Sequence, residues 1–143
     1  MNGRAFVTPE LNQIMVHEAT AASDRLTWMT DRHVRPLLDR IKSNDERLIG
    51  SAITDVNGYL PTHLTERSHT PGPDPLWNDA HCRNKRIMMD ETTAAAIVSE
   101  KPAMLATYRM ELGEKFIPVK NVFVPLWVKG RRWGNYELAY RDD

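Results

Sequence analysis

The chain has a single cysteine, Cys82, among 143 residues. One thiol builds neither a disulfide framework nor a cysteine-rich zinc module. Net charge is also missing, because 19 basic and 19 acidic side chains cancel to +0. A balanced chain has no bulk attraction for DNA, RNA or an anionic membrane, so no nucleic-acid partner is expected. No apolar run reaches membrane-spanning length, roughly 18 residues or more. The opening Met1-Asn2-Gly3-Arg4 lacks a charged-then-apolar leader. Catalytic signatures are absent as well: there is no G-x-S-x-G elbow, no P-loop and no dinucleotide fingerprint. No catalytic residue is therefore assigned and no enzyme is expected. The histidines are His17, His33, His63, His69 and His81, with no zinc-protease spacing and no C-x-x-C-H for covalent haem. No cofactor or metal is expected; haem or metal sensing stays a minor alternative, with His63 or His81 as ligands.

What the chain does have is one domain's worth of length and a clear change of pattern along it. Residues 1–8 read as a disordered or appended end, and residues 9–143 as a single domain. Thr8-Pro9-Glu10 supplies a cap, a first-turn proline and an acid, which start a helix. Leu11, Met15, Ala19, Ala22, Leu26, Met29, His33, Leu37 and Ile41 then follow at steps of three and four, one stripe of a long helix over 9–48. Pro36 removes an amide and crowds the preceding turn, so a kink or a break into two helices is expected near 33–35. The Met and Ala content of the stripe suits a helix that packs loosely or against a twin, and a homodimer through this helix is expected.

From residue 49 the pattern turns to α+β. Residues 51–55 read as a strand, Asp55-Val56-Asn57-Gly58 as a turn, and 59–64 as a second strand of a hairpin. The proline-rich stretch 65–75 reads as an exposed loop. A short helix is expected near 77–85, and a second short helix or an irregular turn at 92–100. Strands follow at 103–111, 116–128 and 133–141, with bulges or bends at Pro118 and Pro125 and with Trp127 in the core. The expectation is a five-stranded antiparallel sheet with a helical crossover over one face.

Three segments carry a resemblance. Asp55-Val56-Asn57-Gly58-Tyr59-Leu60-Pro61-Thr62-His63 resembles the D-x-N-G-Y-x-P-T-H hairpin of a sensor-domain family in bacterial methyl-accepting chemotaxis proteins. Arg83-Asn84-Lys85-Arg86-Ile87 resembles its N-R-x-K-R-I-F segment. The stretch from Pro125 to Gly134 resembles its P-I-x-V-x-G-R-H-W-G end. Leu64, Met88 and Arg132 stand where that family usually has Asn, an aromatic and His. The resemblance implies a PAS-related, single-Cache-like fold. It also implies a ligand-sensing input domain attached to a membrane receptor, on either the periplasmic or the cytoplasmic side of the membrane, with the periplasmic side favoured. A ligand-free dimerisation or signal-relay domain is the alternative.

The candidate binding residues combine cations with polar-tipped aromatics. Arg83 and Arg86 are three apart, so on a helix they share a face and can hold a carboxylate or phosphate. The plainer reading is a solvated face paired with Asp79 or Asp90. Tyr59, Trp77, Tyr108 and Tyr136 offer apolar area with a hydrogen-bonding tip, and His63 sits beside the turn. The expected pocket lining is Tyr59, His63, Trp77, Arg83, Arg86, Tyr108 and Tyr136, around a small anionic or polar metabolite. Cys82 lies in a basic stretch, which activates a thiol only where it is exposed.

Overall fold

The computed structural model describes residues 23–142, so the expected helix start at Thr8-Pro9 and the stripe from Leu11 to Ala22 lie outside the described residues. Helix α1 (Ser23–Met29) runs directly into a π-helical turn (Thr30–Val34) and then into α2 (Arg35–Ser43). Pro36 sits in the first turn of α2. Its ring has no N–H to give and crowds the carbonyl four residues back. The wider π turn absorbs that misfit without ending the helix, which is the form the expected kink takes. The helical run does not reach residue 48. It stops at Ser43, where the Asn44 N–H bonds the carbonyls of Arg40 and Ile41 at 3.2 and 3.3 Å.

Among the described residues the sheet has four strands: β1 (Leu48–Asp55), β2 (Met104–Leu112), β3 (Lys115–Val128) and β4 (Arg131–Arg141). All pairs are antiparallel, in the order β1-β4-β3-β2. Two short helices lie in the crossover between β1 and β2. They are α3 (Pro75–His81), capped by the Asp74 carboxylate on the Leu76 N–H, and α4 (Glu91–Val98), capped by Asp90 on the Thr93 N–H.

The fifth strand, expected at 59–64, is absent from the sheet. The turn itself forms: the Asp55 carboxylate accepts from the Asn57 and Tyr59 amides at 2.8 and 2.9 Å, and Gly58 takes φ +77°. Beyond one return bond the chain leaves β1. The Leu60 N–H goes to the Arg86 carbonyl at 2.9 Å and the Lys85 N–H to the Leu60 carbonyl at 2.7 Å. Leu60, Thr62, His63 and Leu64 are all buried. A half-buried edge strand needs alternation, and Pro61 has no N–H for a ladder, so this segment becomes the root of the crossover instead.

Strand alternation gives the sheet two different faces. Ile53, Val122, Val124, Tyr136 and Leu138 join Val34, Leu37 and Leu38 of the helices in one buried apolar cluster. The opposite face turns towards the crossover. At Gly134, β4 passes so close to β1 that an added Cβ would collide with the Thr54 carbonyl, which explains the glycine of the terminal motif. Pro125 is followed by the expected register shift, between Leu126 and Trp127, whereas Pro118 stays in register opposite Arg109. Trp127 lies between Leu126 and Val128, which both join that cluster, so alternation sends it to the opposite face. It is 51% exposed under the Arg132 guanidinium, so it is not core.

Candidate functional site

A cavity of about 550 Å³ lies between the sheet and the crossover. Its floor comes from all four strands: Ala52 and Thr54 of β1, Tyr108 of β2, Asn121 and Phe123 of β3, Glu137 and Ala139 of β4. Gly50, Ala52 and Ala139 are too small to fill the space above them. Leu60, His63, Arg67, Arg83, Arg86 and Met88 form the roof.

The roof is tied together by backbone and guanidinium bonds. The Arg83 N–H donates to the Arg67 carbonyl at 2.7 Å, and the Arg67 guanidinium to the Ala80 carbonyl at 2.8 Å. Arg83 and Arg86 do not share a helix face, because α3 ends at His81 and Lys85 turns the chain with φ +58°. They meet around Asp79 instead. Arg86 Nη2 lies 3.2 Å from Asp79 Oδ1, and Arg83 bonds the Asp79 carbonyl at 2.8 Å. The Asp79 pairing is the plainer of the two sequence expectations, but Arg83 is not solvated, its side chain being only 11% exposed. Burial works to raise the Asp79 pKa. The Gly113 amide, the Arg86 bond and the two guanidinium charges outweigh it and hold the carboxyl below its ordinary range. Burial lowers the Arg83 pKa, with Asp79 acting the other way.

His63, Glu137 and Tyr108 are the strongly perturbed groups that line the cavity. His63 Nδ1 accepts the Leu64 N–H at 2.8 Å, which places the ring proton on Nε2. Burial, then the charges of Arg83, Arg67 and Arg35, push its pKa down to about 3, so the ring is neutral. The Glu137 carboxyl takes the Thr54 hydroxyl at 3.1 Å. The residue is half-buried and lines the cavity. Burial therefore pushes its pKa up to about 7; the Asp90 charge adds, and the Thr54 and Asn121 hydrogen bonds oppose. Burial also pushes the Tyr108 hydroxyl up to about 12, helped by Glu137 and Asp90 and opposed by Arg83.

Of the residues named from sequence, His63, Arg83, Arg86 and Tyr108 line the cavity, and Tyr59, Trp77 and Tyr136 do not. Tyr59 bridges to Ile87, and its hydroxyl lies 3.5 Å from Thr27 Oγ1 of α1. Trp77 is on the outer side of α3, 40% exposed and stacked on His81 at 4.5 Å. Tyr136 is fully buried on the helix-facing side of β4. Sequence reading missed Asn121, Glu137 and Arg67. The signal was present for Glu137, because the apolar alternation Tyr136, Leu138, Tyr140 sends Glu137 to the other face; that face was not known to be enclosed. Arg67 lies in the stretch read as an exposed loop; that stretch is exposed except at Arg67 and Ser68, which are half-buried where a short 3-10 turn (Thr65–Arg67) joins the roof.

Cys82 is buried, so its basic neighbours do not expose an active thiol. His81 donates from Nδ1 to the Trp77 carbonyl at 2.8 Å, outside the cavity. Among the described residues no group of three or more His, Cys, Asp or Glu side chains is arranged to hold a metal ion.

No protein-family model matches the chain, and no curated protein matches it. Solved structures do. One is a domain of a protein assigned to the sensory box/GGDEF family from Vibrio parahaemolyticus, at TM-score 0.61 and 13% identity, over 97% of this chain and 50% of that one. Another is the extracellular domain of vpHK1S-Z8, assigned as a histidine kinase, at TM-score 0.56 and 14% identity, over 97% of this chain and 47% of that one. The chain thus spans about half the length of each. Identity this low speaks for fold alone: the architecture is α+β, the fold these sensor domains share. Among the described residues no helix is long and apolar enough to cross a membrane.

Proposed function

We propose that the chain is the signal-input domain of a bacterial signalling protein, taking a small polar or anionic metabolite between sheet and crossover. The observation that carries this reading is the cavity itself. About 550 Å³ stays unfilled beside a neutral buried His63, a desolvated Glu137 and the Arg83–Arg86 pair. Convergent polar groups with perturbed proton affinity in one cavity are the usual mark of a ligand site. The unfilled volume counts against a ligand-free relay domain.

A route for the signal also exists. Arg35 of α2 donates from Nε to Thr62 Oγ1 at 3.2 Å and to the His63 carbonyl at 3.0 Å, while its Nη2 pairs with Asp31 at 2.7 Å. The roof of the cavity therefore holds the helices that face the other side of the sheet. A ligand that draws the roof onto the floor biases the set of that helical run. The reading extends to a chemoreceptor context: a homodimer through the N-terminal helix, attached to a membrane receptor on its periplasmic side. A thermal-shift screen over organic acids, amino acids and purines tests it. A true ligand at a hundredfold excess over Kd adds about 2.7 kcal/mol. A screen without a hit overturns the reading.

A further inference from the structure

The cavity has two unlike ends. The roof end is basic: Arg67, Arg83 and Arg86 outnumber Asp79, and His63 adds an Nε2–H donor. The floor end is rich in acceptors. Glu137 receives only neutral donors, and no basic side chain among the described residues forms an ion pair with it. Asn121, on the neighbouring strand, is 3% exposed and lines the same cavity, and its Oδ1 has no hydrogen-bond partner. Asp90 stands near enough to add to the negative field there.

A buried carboxyl without a cation and a buried amide oxygen without a donor are each costly in a finished protein. A core built only for stability would fill these positions with apolar side chains. Both deficits are met by the same thing, a nitrogen carrying several hydrogens. The opposite deficit at the roof, N–H groups in excess, is met by a carboxylate.

Resting on the ligand-binding reading above, we infer that the ligand is dipolar, with an ammonium or other cationic N–H group against Glu137 and Asn121 and a carboxylate against the Arg67–Arg83–His63 end. The chemical class is amino acids and close relatives that carry both groups, rather than simple organic acids.

The test uses matched probes. The common α-amino acids, β-alanine, 4-aminobutyrate and 5-aminovalerate are each compared with the parent carboxylate lacking nitrogen and with the amine lacking the carboxylate, by calorimetry and melting temperature at pH 7.5. At least one amino compound should bind tenfold or more tightly than both of its truncated partners. Glu137→Gln should remove that advantage, while raising the melting temperature of the empty protein. Asn121→Leu should weaken the amino compound and leave its parent carboxylate unchanged, which keeps the test sound should the Glu137 variant fold poorly. A parent carboxylate that binds as well as its amino partner, or an advantage that survives both substitutions, overturns the dipolar ligand but leaves the receptor reading standing. No binding by any compound of this panel or of the wider screen overturns both.

Discussion

The two faces of one sheet are built by the same strands and behave oppositely. On the helix side, Val122, Val124, Tyr136 and Leu138 interlock with Val34, Leu37 and Leu38, all nearly or wholly withdrawn from water. On the crossover side, their immediate neighbours Asn121, Phe123, Glu137 and Ala139 border an open cavity. Residues one apart in sequence therefore face different demands, because side chains alternate across the pleat. One face is selected for fill and the other for hollowness. The hollow face holds the buried charge that the filled face avoids, and Arg35 ties the two together through the crossover.

The largest effect should come from the filled face. Leu38 is fully buried in the apolar cluster. Leu38→Ala removes its packing and leaves a void that neighbouring side chains close only in part, at a cost of about 4 kcal/mol. Urea denaturation measures the loss directly. If the cost were under about 1 kcal/mol, the helix-side face would be as loosely packed as the cavity side, and the contrast would fail.

How much of this was legible depended on how local each cause is. The Asp55 turn, the meander of β2 to β4 and the short helices α3 and α4 follow from turn chemistry, capping residues and period, all within a few residues of each element. The fate of 59–64 was not legible. Its partner is the Arg86 segment, more than twenty residues away, and a single proline tips the choice between ladder and crossover. The site shows the same division. His63, Arg83, Arg86 and Tyr108 were found by chemical type, whereas Tyr136 and Glu137 were exchanged. Alternation separates two faces but does not say which is closed by helices and which encloses a cavity.

The pH dependence of stability is the next largest test. Glu137 loses its proton near the ordinary 4.5 when unfolded and near about 7 when folded. Between those values the folded state binds more protons, so this contribution is full below 4.5 and is lost as pH rises towards 7. His63 works in reverse. It takes a proton near 6.5 when unfolded and not until about 3 when folded, so its contribution is present above 6.5 and lost as pH falls towards 3. From 4.5 to 6.5 the two slopes oppose each other, and the wild-type profile should be nearly flat. Glu137→Gln leaves the His63 limb alone, and stability should then climb across that window by up to about 1.4 kcal/mol per pH unit. Superimposable profiles for the two proteins would show that the floor of the cavity is wet and that Glu137 is an ordinary carboxylate.

The finest test sets two tyrosines against each other. Tyr136 presents its hydroxyl to Ser51 Oγ at 3.4 Å inside the filled face. The Tyr108 hydroxyl, on the hollow face, has no hydrogen-bond partner among the described residues. Removing a buried hydroxyl that has a weak partner costs about 1 kcal/mol, whereas removing one that faces a cavity costs the empty protein close to nothing. Tyr136→Phe should therefore lower stability by about 1 kcal/mol and leave the ligand-induced rise in melting temperature unchanged. Tyr108→Phe should do the reverse, sparing the empty protein and cutting the rise. The pair is informative because the two variants make the same chemical change, one oxygen, so any difference between them belongs to the faces they occupy. Equal effects on both readouts would mean that the faces differ in shape but not in role.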